Sequence, residues 1–280
     1  MPLKVSHIAL AILAACLAIE ARAPGGARAE PWTNPVGMEF VPVPAGTFVM
    51  GEEPSLSPDA DPDEGPPHAV TLTRGFWCGA TEVTQAQWER VMGAPSPSLF
   101  QGPGRPVERV SYGEAIAFIE ALNALEGTGR YRLLTEAEWT YAAKAGTVTP
   151  WSFGADPAVA GGYAWYRANS GMETRPAAGK FPNPWGLFDM HGNVWEWVSD
   201  WYGAGWYLES PADDPQGPAA GEEKVVRGGA WDNRLPQLRS DNRTSQLPGA
   251  KDESVGFRVA FTRGLLKKRL YPADGSPREE

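Results

Sequence analysis

The spacing of apolar positions changes several times along the chain, and each change marks an element. From Met38 to Gly51 apolar and small residues alternate around Pro42 and Pro44, which predicts two short strands, Glu39–Val43 and 47–50. Residues 69–73 alternate in the same way, and 75–78 lead into a further strand. The period then becomes helical. Thr84 is followed by Gln87, Ser111 by Glu114 and Thr135 by Glu138. Each pair is a capping box, in which the hydroxyl accepts a bond from an otherwise unpaired amide and the third residue reaches back. Helices are predicted over 85–92, 112–125 and 136–145, with Gly93, Gly127 and Gly146 where each should stop. In the second, Ala115, Phe118, Ile119 and Leu122 form one apolar stripe. Strands return at 195–198, 225–228 and 257–261.

Between these elements the pattern is irregular. Residues 52–67 are rich in Pro, Asp and Glu and read as an exposed loop, and 200–223 as a long exposed connection. From Gly146 to Asp189 there is no period, but Trp and Tyr are embedded throughout, so this stretch must be held by its own aromatics or by ions. The sum is an α+β chain with short strands, about three helices and much irregular backbone. Twelve Trp beside 32 Gly and 27 Pro agree with that picture, because large aromatic bodies are then buried under turns rather than along long helices.

Residues 1–29 read as an export signal. Lys4 supplies the positive start, the run from Ile8 to Ile19 is apolar, and Ala27-Arg28-Ala29 is a small-residue cleavage site before Glu30. The apolar run is about a dozen residues, too short to span a bilayer, and no second run is long enough for a transmembrane segment. The protein is expected to be periplasmic or secreted, with a lipoprotein attached through Cys16 in Leu13-Ala14-Ala15-Cys16 as the alternative. Residues 30–262 form the expected folded domain and 263–280 a flexible tail. The formal net charge of −9 becomes −11 once the signal's three basic residues and one acidic residue are gone, which argues against nucleic acid as a partner. Cleavage also leaves Cys78 as the single cysteine, so the fold has no internal disulfide.

Candidate chemistry centres on Gly186-Leu187-Phe188-Asp189-Met190-His191-Gly192-Asn193-Val194-Trp195-Glu196-Trp197. Asp189 and Glu196, with backbone carbonyls between them, have the donor types that hold calcium. The same residues also read as a buried aromatic corner with Glu196 bonded to backbone amides.

Gly192 to Trp197, GNVWEW, resembles the central motif of the formylglycine-generating enzyme, or sulfatase-modifying factor, family. Further blocks resemble it in the family's order. They are Phe76-Trp77 with Thr81-Glu82-Val83-Thr84-Gln85-Ala86-Gln87-Trp88, Arg105-Pro106-Val107 to Ser111, Arg132-Leu133-Leu134-Thr135-Glu136-Ala137-Glu138-Trp139, Arg227-Gly228-Gly229-Ala230-Trp231 and Gly256-Phe257-Arg258-Val259-Ala260. The resemblance implies a C-type-lectin-like fold. It also implies a structural calcium ion held by Asp189, the carbonyls of Gly192 and Val194, and the side chain of Glu196.

The chain departs from the family where its chemistry is done. Formylglycine-generating enzymes bind copper through two cysteines after the Arg-Gly-Gly segment, and thiolates suit Cu(I). Here that segment reads Ala230-Trp231-Asp232-Asn233-Arg234-Leu235-Pro236-Gln237-Leu238-Arg239, and no cysteine follows Cys78, so a copper site of the cysteine type is not expected. A three-histidine iron site cannot be built from His68 and His191 alone. Trp231, Asp232, Asn233, Arg239 and Arg243 are the candidate pocket for an anionic or peptide ligand; the arginines read equally as a buried ion-pair network. The resemblance implies one of three roles. The first is an oxidoreductase of the cysteine-free, pyoverdine-maturation type acting on a peptide-derived substrate. The second is a non-catalytic accessory or binding module, as in nitrite-reductase clusters. The third is a formylglycine-generating sulfatase activator, against which the missing cysteines stand.

Overall fold

The computed structural model describes residues 30–55 and 57–262; the expected signal at 1–29 and tail at 263–280 lie outside the described residues. Eleven short strands are arranged in three sheets among the described residues. The first sheet has five strands in the order β1, β2, β5, β11, β6, formed by Trp32–Thr33, Glu39–Val43, Phe76–Gly79, Ala260–Phe261 and Tyr131–Arg132. The second has four, β10 (Val255–Phe257), β7 (Trp195–Trp201), β8 (Lys224–Arg227) and β9 (Arg243–Gln246). β3 (Gly46–Met50) and β4 (His68–Leu72) pair as a separate ribbon. The architecture is α+β with much irregular chain, as the pattern predicts.

Three α-helices start where the capping boxes place them: α1 (Gln85–Met92), α2 (Tyr112–Leu125) and α3 (Glu136–Lys144). Thr84, Ser111 and Thr135 each accept the backbone N–H of the residue three ahead, a cap worth about 1 kcal/mol. Gly93 ends α1 in the left-handed region, whereas at the end of α3 Ala145 adopts it before Gly146 does. The apolar stripe of α2 is buried: Ala115, Phe118, Ile119 and Leu122 all face the core. There Trp88 stacks on Phe118 and meets Phe257 edge-on.

Three readings of the sequence are corrected. The single strand expected at 257–261 is two, β10 and β11, in different sheets, because Arg258 and Val259 turn the chain from one sheet to the other. The 52–67 loop is not uniformly exposed: Glu64 is fully buried, drawn in by Arg239. The 200–223 connection buries Tyr207, whose hydroxyl donates to Glu136. No described helix is long and apolar enough to cross a membrane.

Candidate functional site

The GNVWEW stretch lies at the point where both larger sheets and the irregular 146–189 segment meet. Its entry is tightly wound: Asp189, Gly192 and Asn193 all have positive φ. Gly192 is required here, since a Cβ would run into the Trp165 carbonyl, which accepts the Asn193 N–H. Asn193 is fully buried and clips the segment by bonding both the N–H and the C=O of Arg175. His191 donates from Nδ1 to the Leu238 carbonyl at 2.8 Å, which leaves Nε2 to accept from Ser152 N and Oγ. Burial pushes its pKa down to about 4, so it is a neutral hydrogen-bonding residue.

The carboxylates of this stretch take different partners. Glu196 is tied to Arg258: Nε donates to both carboxylate oxygens at 3.0 and 2.8 Å, and Nη2 to Oε1 at 2.6 Å. Trp139 Nε1 donates to Oε2 at 2.8 Å. Each oxygen of Glu196 thus accepts two bonds, which fills the lone pairs of a carboxylate. Asp189 differs. Its Oδ2 accepts from Ala178 N at 2.7 Å, but Oδ1 is buried and has no protein donor. Glu82, also fully buried, has no donor on either oxygen, and the Asp189 charge acts on it. Burial raises the pKa of Asp189 to about 6, and burial followed by the Asp189 charge raises that of Glu82 well above the usual range.

Two buried carboxyls whose charges act on each other need a proton or a cation to be stable. Asp189 Oδ1 and Glu82 are the acceptors left open for such a proton or cation, whereas the oxygens of Glu196 already accept from Arg258 and Trp139. Among the described residues no group of three or more His, Cys, Asp or Glu gathers as a metal cluster. Glu82 was not singled out from the sequence. Its signal is position: a carboxylate between the buried strand β5 and the α1 cap, next to the fully buried Val83.

The five residues of the candidate pocket take separate partners. Trp231 is a core residue, 7% exposed, with its ring edge-on to Phe100 and its indole N–H on the Glu253 carbonyl. Asn233 folds back to accept the Ala230 N–H, and its own carbonyl accepts from Arg167 N. Burial raises the pKa of Asp232, and Asp252 and Glu253 nearby raise it further. Arg239 and Arg243 lie among other partners. Arg239 donates to Glu64 with two nitrogens and to Glu52, and Arg243 forks onto Glu136 at 2.8 and 3.0 Å. Arg227 adds a second charge to Glu136 at 3.5 Å. Although burial works against it, these two guanidinium groups hold the Glu136 carboxyl below its usual pKa. The arginines form a buried structural network, one of the two readings the sequence left open. Cys78, in the core, has its thiol pushed up to about 12 by burial.

Comparison with known proteins agrees with this architecture. A family model described as sulfatase-modifying factor enzyme 1-like domain matches residues 27–263. The formylglycine-generating enzyme of Streptomyces coelicolor is 36% identical over 193 residues, which cover 64% of this chain and 59% of that protein. The chain thus spans about three fifths of that relative's length. Among solved structures, PvdO from Pseudomonas aeruginosa superposes with a TM-score of 0.75 at 30% identity, covering 85% of this chain and all of that one. Treponema denticola variable protein 1 gives 0.74 at 30% identity, covering 83% and 98%. The match over nearly the whole described domain shows that the chain belongs to the sulfatase-modifying factor, or formylglycine-generating enzyme-like, family, as a member with no cysteine after Cys78.

Proposed function

We propose that this protein is an exported accessory protein that binds a peptide-derived partner on the family scaffold without performing the family's cysteine oxidation. One observation carries the reading. The segment after Arg227-Gly228-Gly229 holds no cysteine, and its side chains are committed to internal contacts: Trp231 to the core, Asn233 to Ala230, Arg239 to Glu64. Cys78 does not replace the missing pair. A reactive thiol needs a lowered pKa and exposure, and Cys78 has neither. A calcium ion belongs to this reading as a structural cation held by Asp189 and Glu82, where it would neutralise two buried carboxylates. The signal-like residues 1–29 and the acidic balance support export and a partner other than nucleic acid.

The test is direct. Purified mature protein, supplied with copper and oxygen, is incubated with a sulfatase-type CxPxR peptide, and the peptide is read by mass spectrometry. No conversion of the cysteine to formylglycine is expected. Turnover above a protein-free control would restore the sulfatase-activator role and overturn the reading. A second reading is the oxidoreductase acting on a peptide-derived substrate that the sequence resemblance to the cysteine-free branch implies. Oxygen consumption by the protein with the same peptide, absent without it, would decide for this alternative.

A further inference from the structure

A cleft of about 330 Å³ opens between β3, the end of α3 and the turn at 146–150, in contact with none of the residues expected from the sequence to bind a ligand. Its size is at the low end of ligand pockets, which fits a body of about one residue rather than a long chain. Three aromatic rings line it in sequence. Phe48 and Tyr141 have ring centroids 5.1 Å apart, and Trp185 meets Tyr141 edge-on at 4.8 Å. The wall has its shape because β3 begins with Gly46: a Cβ there would collide with the Tyr141 hydroxyl.

Polar groups in the cleft are as specific as its walls. Lys144, the last residue of α3, donates from Nζ to Asp241 Oδ2 at 2.6 Å, with both side chains less than a tenth exposed. Asp241 is held from two further sides. Its Oδ1 accepts from Gly51 N at 3.0 Å, and its backbone carbonyl accepts from Arg227 Nη1 at 3.0 Å. The helix C-terminus also favours the cation. An ammonium has three N–H donors, and among the described residues Asp241 is the acceptor that Lys144 Nζ meets. Two donors therefore remain for a ligand in a largely apolar setting. The pair is already neutral in sum, and Glu52 on the lining adds negative charge offset by Arg239. A ligand carboxylate would bring an uncompensated anion beside the neutral Lys144–Asp241 pair. A neutral carbonyl would use the free donors without that penalty.

From this arrangement we propose that the cleft binds an aromatic side chain accompanied by a neutral amide carbonyl, with the ring against Phe48, Tyr141 and Trp185 and the carbonyl accepting from Lys144. This deepens the binding reading above by naming a site and a recognised group, and it rests on that reading for its biological meaning. The same chemistry is presented by a small aromatic amide and by a Phe or Tyr residue within a peptide.

The experiment titrates N-acetyl-L-phenylalaninamide into the mature protein by calorimetry, alongside N-acetyl-L-phenylalanine, which carries a carboxylate, and a capped pentapeptide with a central Phe. Saturable binding of the amide is expected, at least about tenfold tighter than that of the carboxylate. Tighter binding of the pentapeptide than of the amide would assign the site to peptides, and the reverse to small aromatic amides. Val148, 90% exposed on the lining, is the position for a blocking change that leaves the core untouched. Val148→Arg should weaken the amide by about tenfold or more with an unchanged melting temperature. Equal or tighter binding of the carboxylate, full affinity in Val148→Arg, or no saturable binding of any probe would each overturn the proposal. The binding reading is tested separately: the formylglycine assay can fail or succeed independently of these titrations, and pentapeptide binding that survives Val148→Arg would keep it while removing this cleft.

Discussion

Arg258 closes a two-pronged ion pair on Glu196, with Nε 2.8 Å from Oε2 and Nη2 2.6 Å from Oε1, and neither side chain more than 1% exposed. The remaining guanidinium donors go to the carbonyls of Gly79, Ala80 and Phe188, so all five N–H groups are used. Arg258 thereby joins the first sheet, the 186–189 turn and β7. Such a pair is costly to bury, but once buried each charge depends on the other.

That dependence gives the first expected outcome. Glu196→Ala leaves Arg258 as an unpaired buried cation and should lower unfolding stability by about 3–5 kcal/mol, measured by urea denaturation. Arg258→Met with Glu196→Leu removes both charges and should lose less than the single change. A loss under about 1 kcal/mol in Glu196→Ala would mean that water or another anion replaces the carboxylate.

A second outcome concerns pH. Asp200 is fully buried and accepts from Glu136 N and Ser199 Oγ. Burial, and after it the nearby Glu136 carboxylate, push its pKa up from 3.8 to about 7. Between those values the folded protein keeps a proton that the unfolded chain has released, so this group's stabilisation falls as pH rises through the window and is gone above about 7. Asp200→Asn mimics the protonated form and can accept the same bonds. Relative to the parent, its melting temperature should gain as pH is raised from 4 to 8. A parent-minus-variant difference that stays flat over that range would show that Asp200 titrates at its ordinary value.

How far the chain could be read follows from where each determinant lies. The helices were legible because capping boxes are local: Thr84, Ser111 and Thr135 carry their partners three residues away. β6 and β9 were not, because Tyr131–Arg132 and Arg243–Gln246 become strands only by pairing with β11 and β8. The motif stretch was located from sequence, but its partners are remote. Arg258 lies 62 residues from Glu196, and Lys144 lies 97 from Asp241. No periodicity links charges at such separations. The partners of the expected pocket arginines were illegible for the same reason, since Arg239 and Arg243 answer to Glu64 and Glu136 rather than to their neighbours in the chain.

The last outcome concerns the cation that the resemblance implies. Asp189 Oδ1 and both oxygens of Glu82 are buried without donors, and the Asp189 charge acts on Glu82. A divalent ion between them would remove their repulsion and their desolvation penalty together. A ligand that binds only the folded state stabilises it by about 2.7 kcal/mol at a hundredfold excess over its dissociation constant. A calcium chelator should therefore lower the melting temperature of the parent protein, and elemental analysis of untreated protein should find calcium. Glu82→Gln combined with Asp189→Asn supplies amide donors where the carboxylates lacked them, so this variant should melt at the same temperature with and without chelator. Glu196→Gln, by contrast, should be destabilised yet still respond to chelator, because Glu196 is held by Arg258. A chelator response abolished by Glu196→Gln and kept in the Glu82/Asp189 variant would return the ion to Glu196. A parent curve indifferent to chelator, with no calcium in the protein, would leave a shared proton between Glu82 and Asp189 in its place.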